Sequence, residues 1–150
     1  MVNNTITTYH KPFIVYIITA LMLSASIIYL VVAFQDYKQI SQTHSSDSNA
    51  AADISATINE MTFFLIVGIA YIPIAIWMLK VKHNSKIPYL ISIIGSAALI
   101  LFYALTRTIN IPTIGLQPDV GLIDVSAKLV QAGIVAISSY LIISVVRRRK

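Results

Sequence analysis

The sequence predicts an all-α membrane protein: four transmembrane helices forming an antiparallel up-down bundle, with both termini cytoplasmic. Three observations predict it. Of the 150 residues, 57% are hydrophobic and only 11% are charged, more apolar surface than a soluble chain of this size could bury. The charged residues lie in gaps between long apolar runs, and four of those runs have about the 20 residues that a helix needs to cross a hydrocarbon core. The lysines and arginines are also divided unevenly between the two sides that such a path defines.

The single four-helix domain, residues 1–150, divides as follows. The first span runs from Pro12 to Phe34. Val31 and Ala33 mimic a signal cleavage site, but the apolar stretch is too long for a signal peptide, so the helix is retained. The segment QDYKQISQTHSSDSNAAADISATINE follows. Residues 41–50 have a flexible, solvated composition, whereas Ile54, Ile58, Met61 and Leu65 recur at helical spacing. The second helix is therefore expected to begin near residue 50, capped by Ser48 or Asn49, and to extend outward from a span over 61–79. Pro73 within it removes a backbone hydrogen bond and predicts a kink, with Gly68 and Ala70 allowing a neighbour close.

Trp77 and Tyr89 flank the loop KVKHNSK and are expected to anchor at the interface. The loop is short, so helices 2 and 3 should form an antiparallel hairpin. The third span, 88–105, carries Ser92, Gly95, Ser96, Leu99, Tyr103, Thr106 and Arg107 on one stripe. Its small residues predict close helix packing and its polar end predicts a protein-facing surface. The fourth span, 125–146, supplies a matching line of Asp124, Lys128, Gln131 and Ser138.

Orientation follows from Lys11, Lys80, Lys82, Lys86, Arg147, Arg148, Arg149 and Lys150 on one side, against Lys38, Arg107 and Lys128 on the other. The richer side is cytoplasmic. The net charge of +5 is then an inner-face charge suited to anionic lipid headgroups rather than nucleic acid. The terminal Arg147, Arg148, Arg149 and Lys150 are the expected inner-face headgroup contacts.

Between spans 3 and 4 lies TRTINIPTIGLQPDVGLID. Pro112 and Pro118 break any helix, Gly115 and Gly121 permit turns, and Asp119 is the expected N-cap of helix 4. The alternating apolar residues predict a segment folded back over the bundle. An outer polar cluster of Tyr103, Arg107, Asp124 and Lys128, with Glu60, is expected at this end. Asp124 is placed to pair with Lys128 one turn away, and with Arg107 across the loop.

The pattern Tyr103, Thr106, Arg107, Thr108, then Pro112, then Gly121, Leu122 and Asp124 resembles small four-span membrane proteins of archaea and some bacteria. That resemblance covers the last third of the chain and implies a four-helix fold without implying an activity. In its isoleucine-rich, cysteine-free character the chain also resembles accessory subunits of the archaeal ammonia monooxygenase.

Most familiar membrane chemistry leaves marks that this sequence lacks. There is no cysteine, and His10, His44 and His83 lie outside the spans, against bis-histidine haem. Glu60 is the sole glutamate, against a carboxylate-bridged di-iron site. His44 with Asp47 makes a poor copper or zinc site. No ionisable side chain falls well inside a span as proton-coupled transport requires. The first-helix glutamate of small multidrug exporters and the cysteine-bearing loop of tetraspanins have no counterpart, and no nucleophile-elbow or phosphate-loop motif is present. The expectation is a non-catalytic structural or accessory subunit of a membrane complex at the cell membrane, without cofactor or metal, held with other membrane subunits or with itself. The alternative is a small channel or transporter with a polar outer vestibule.

Overall fold

A computed structural model describes residues 10–42, 48–81, 84–109 and 121–147, and the side chains of 13–42, 54–81, 84–109 and 121–144 among them. Those residues form four helices, with no strand among them: α1 (His10–Gln42), α2 (Ser48–Val81), α3 (Ile87–Thr108) and α4 (Leu122–Arg147). Each is long and apolar enough to cross a membrane.

The core follows helical periodicity. On α1, Val15, Ile18, Met22, Ala25, Tyr29 and Ala33 are buried, and Tyr71, Ala75 and Met78 of α2 face them. Phe13, Ile27, Ile66, Ile94, Leu101 and Leu129 point outward, more than half exposed. In water such a surface would drive association; in lipid it is the ordinary exterior. The buried hydroxyls have partners, as a dry interior demands. Thr19 donates to the Val15 carbonyl at 2.8 Å, Ser26 to the Gly68 carbonyl at 2.7 Å and Thr106 to the Tyr103 carbonyl at 2.9 Å. Ser92 meets Ser138 at 2.9 Å, and Tyr71 meets Ser96 at 3.1 Å.

The helices form a ring in which each touches two neighbours. The α1–α2 interface is the most extensive, α3–α4 and α1–α4 follow, and α2–α3 is the smallest. At Gly68, α1 comes so near that a Cβ would lie 3.0 Å from Leu30 Cγ. Gly95 on α3 is the opposite case, exposed, with nothing within 4 Å of where a Cβ would be. The expected close packing of α3 through Gly95 is therefore corrected. Ser92 and Ser96 are used, but α2 stands off and leaves a groove. The short loop makes the two helices consecutive without making them a tight pair.

Three further expectations change. Helix α1 continues eight residues past Phe34, through the polar QDYKQI. Helix α2 begins at Ser48, so Ser48 and Asn49 belong to its first turn instead of capping a later start; it runs on through Pro73, whose ring lies on the exposed side. Tyr89 is not an interfacial anchor. It is fully buried beside Met78 in the core cluster, while Trp77 is 39% exposed.

Pairs across the bundle set its levels: Ser26 with Gly68, Phe63 with Phe102, and Arg107 with Asp124. By those levels Thr108, the last residue of α3, lies near residue 37 of α1 and residue 57 of α2. At 1.5 Å per residue, α1 projects about 8 Å and α2 about 13 Å beyond it. The bundle thus has a hairpin end, where α1 and α2 project, and a lysine end, formed by the α2–α3 connection.

Candidate polar site at the hairpin end

Helix α4 starts at the hairpin end in a way that builds the site. Gly121 is its cap residue, accepting from Val125 N–H at 3.2 Å. Asp124 stands at the third helical position and reaches back, its Oδ2 accepting from Gly121 N–H at 3.4 Å. This is the carboxylate half of a capping box, and a negative charge also suits a helix N-terminus. The expected cap, Asp119, is displaced from that role by Gly121, and Asp119 itself lies outside the described residues. So do Pro112, Gly115 and Pro118, with the fold-back expected of their loop, and Arg148, Arg149 and Lys150; Arg147 closes α4, and its side chain is outside the described set.

Asp124 Oδ2 also accepts from Arg107 Nη2 at 2.7 Å, joining the end of α3 to the start of α4. The Arg107 side chain is 15% exposed and that of Asp124 35%. Lys128, one turn on, does not take Asp124 as its hydrogen-bond partner. Its Nζ donates to Tyr29 Oη at 3.3 Å and to Gln131 Oε1 at 3.2 Å. Gln131 Nε2 donates to the same phenol oxygen at 2.6 Å. The expected Asp124–Lys128 pair is thus replaced by two linked groups, because Arg107 already occupies the carboxylate.

Tyr103 lies between the two cations. Arg107 and Lys128 are each 4.8 Å from its ring centre, a cation–π contact that partly substitutes for water around a charge inside a bundle. Lys128 lies six residues into α4, about 9 Å from the helix start, so its ammonium sits below the level of the ion pair.

These side chains surround a cavity of about 40 Å³ whose lining includes Glu60, Phe64, Tyr103, Thr106, Arg107, Asp124 and Lys128. A space of that size holds a few water-sized groups and is far below the roughly 300 Å³ at which drug-sized ligand sites begin. Toward the lysine end it gives way to Met22, Met78, Tyr89, Ile134 and Leu141, all fully buried.

All five residues of the expected outer cluster therefore line one cavity: Glu60, Tyr103, Arg107, Asp124 and Lys128. Tyr29 is the participant that sequence reasoning did not select. Its signal was the line of Thr19, Ser26 and Ala33 at seven-residue intervals beside Met22 and Tyr29, a small and polar seam on α1. Among the described residues, no group of three or more His, Asp or Glu side chains is placed to hold a metal ion. No family model, curated protein or solved structure matches this chain.

Proposed function

We propose that this chain is a non-catalytic, multi-pass subunit of a membrane complex, with the lysine end cytoplasmic and the α1–α2 hairpin end presented to a partner on the other side. The observation that carries this reading is the projection of α1 and α2 past the level of α3. At the level where α3 ends, Tyr37 is 58% exposed and Ile58 42%. Exposed apolar side chains where two paired helices outrun a third are a contact surface. The polar cluster beneath supports a structural role, since Arg107 pairs with Asp124 and Lys128 is held by Tyr29 and Gln131 around a cavity of a few water volumes. The charge asymmetry supports the orientation, and the basic tail Arg147–Lys150 is assigned to inner headgroups.

The test is a photo-crosslinking residue at Tyr37 or Ile58, compared with the same residue at lipid-facing Ile94, in native membranes. A discrete stoichiometric adduct from the first two positions alone is expected. Lipid adducts alone at every position, with a functional monomer on purification, would refute the subunit role.

One observation favours a second reading: two cations and two carboxylates line a cavity with room for a few water-sized groups. A small-ion vestibule predicts flux into liposomes that responds to Arg107→Ala.

A further inference from the structure

Tyr29 of α1 stacks on Phe64 and Tyr71 of α2, at 5.6 and 6.2 Å between ring centres. Toward the hairpin end, each helix continues that seam with one carboxylate. On α1, Asp36 stands two turns beyond Tyr29 and three residues beyond buried Ala33, on the same inward face. On α2, Glu60 stands one turn beyond Phe64. The bond from Ser26 to the Gly68 carbonyl sets the register of the two helices, and by it Asp36 falls about 3 Å along the axis from Glu60. Glu60 lines the polar cavity, as does Val32, one turn below Asp36. The two carboxylates therefore stand at the α1–α2 edge of that cavity.

Asp36 is the member of this pair that titrates. Its Oδ2 is buried, with no hydrogen-bond partner among the described residues. A carboxylate oxygen held out of water without a donor is costly, and protonation removes the charge that must be desolvated. The neighbouring charges do not offset that cost. Glu60 faces Asp36 from α2 with the same sign. Lys38, on the same helix, lies over the Phe34 ring at 4.8 Å. At the heads of α3 and α4, Arg107 is bonded to Asp124, and Lys128 to Tyr29 and Gln131. Burial, and after it the charge of Glu60, raise the Asp36 carboxyl to about 6. Asp36 lies two residues past the span that ends at Phe34, where protons arrive from the hairpin side.

We infer that Asp36 is a pH switch in the α1–α2 seam: protonated, it lets the helices close over the edge of the cavity, and ionised, it turns to water and parts them there. The stacked rings of Tyr29, Phe64 and Tyr71 hold the seam below, so the opening is confined to the hairpin end. An acid raised above its ordinary value near 4 favours the closed form fully below that value and loses the preference as pH rises through about 6. One proton changes the closed-to-open ratio by at most about tenfold per pH unit. Tyr37 is next to Asp36 in sequence and Ile58 is two residues from Glu60, so pH on the hairpin side sets how these exposed apolar positions are presented. That consequence rests on the subunit reading, whereas the switch belongs to the chain alone.

The full-length chain has no cysteine. Spin labels on Ser41→Cys of α1 and Asn59→Cys of α2, both exposed positions, report the width of the seam by double electron–electron resonance in lipid nanodiscs. The distance is expected to lengthen as pH rises from about 5 to about 8, with its midpoint near 6. Asp36→Asn is uncharged at every pH and should keep the short distance throughout. Glu60→Gln removes only the smaller of the two causes, so its transition should persist with a lower midpoint. Infrared difference spectra should show a protonated-carboxyl band titrating over the same range, absent from Asp36→Asn. A wild-type distance that ignores pH, or an unchanged transition in Asp36→Asn, overturns the inference. Loss of the transition in Glu60→Gln would assign the proton to Glu60 and overturn it equally. Should Asp36→Asn fail to fold, a wild-type chain without the infrared titration is sufficient to refute the switch. A missing crosslink at Tyr37 or Ile58 counts against the subunit role and leaves these readouts standing.

Discussion

The two glycines of the spanning helices α2 and α3 should respond in opposite directions to the same substitution. At Gly68 a Cβ would lie 3.0 Å from Leu30 Cγ, 3.1 Å from Leu30 Cδ2 and 3.3 Å from the Ser26 carbonyl oxygen. Carbon atoms prefer roughly 3.5–4.0 Å, and Leu30 Cγ is a branch point that cannot swing aside alone. Separating the helices also strains the 2.7 Å bond from Ser26 Oγ to the Gly68 carbonyl. Overpacking of this kind costs about 1–3 kcal/mol, against about 0.5–1 kcal/mol gained by replacing glycine with alanine within a helix. Gly68→Ala should therefore destabilise by about 1–2 kcal/mol. At Gly95 the same methyl meets nothing within 4 Å, so Gly95→Ala keeps the gain of about 0.5–1 kcal/mol. The variants should differ by about 2 kcal/mol, or some thirtyfold in the unfolding equilibrium. Unfolding in mixed micelles with rising dodecyl sulfate, followed by circular dichroism, measures it. Shifts of the same sign, or Gly68→Ala the more stable of the two, would refute the packing argument.

Arg107→Ala should destabilise by about 1.5–3 kcal/mol, the usual worth of a hydrogen bond to a charged group, whereas exposed Lys38→Ala should stay within about 0.5 kcal/mol; the same unfolding assay compares them. Lys128→Met replaces an interior charge by an apolar chain of similar length and leaves Gln131 and Tyr29 bonded to each other, so stability should be unchanged or raised. A large loss would show that the ammonium is needed for the fold. Ser138→Ala should cost about 0.6 kcal/mol, typical of an interhelical bond in a membrane protein. Trp77 is the sole tryptophan and is partly exposed near the lysine end; its fluorescence should be quenched more by lipids brominated near the headgroup than near the chain terminus.

How far the sequence reveals this arrangement depends on whether polarity marks the face. Asp124, Lys128, Gln131 and Ser138 stand out on an apolar helix, and their common inward face is legible from spacing alone. So is the outward run of α2, where Ile54, Ile58 and Met61 keep their period in a polar segment. Apolar and aromatic positions are different. Tyr29 is buried while Tyr16 and Tyr140 are exposed, yet all three sit in equally apolar runs. Lipid and protein interior are alike in polarity, so hydrophobic patterning cannot tell which side faces in. The same ambiguity hides the burial of Tyr89 and the open space at Gly95. The end of α1 is obscured for another reason: QDYKQI has loop composition, and no apolar period marks the helix that continues through it.

Helix α4 also has a consequence for the order in which this protein is assembled. A lysine about 9 Å inside an isolated span raises its free energy of insertion, and Gln131, entirely buried in the finished bundle, adds an amide without a neighbour. The phenol that receives both is on α1, synthesised about a hundred residues earlier, and the carboxylate at the head of α4 is received by Arg107 at the end of α3. The first hairpin must therefore already stand in the bilayer as a template when α4 arrives. A nascent chain whose first helix lacks Tyr29 should stall with its fourth helix outside the membrane, a biogenesis defect from a residue buried within the bundle.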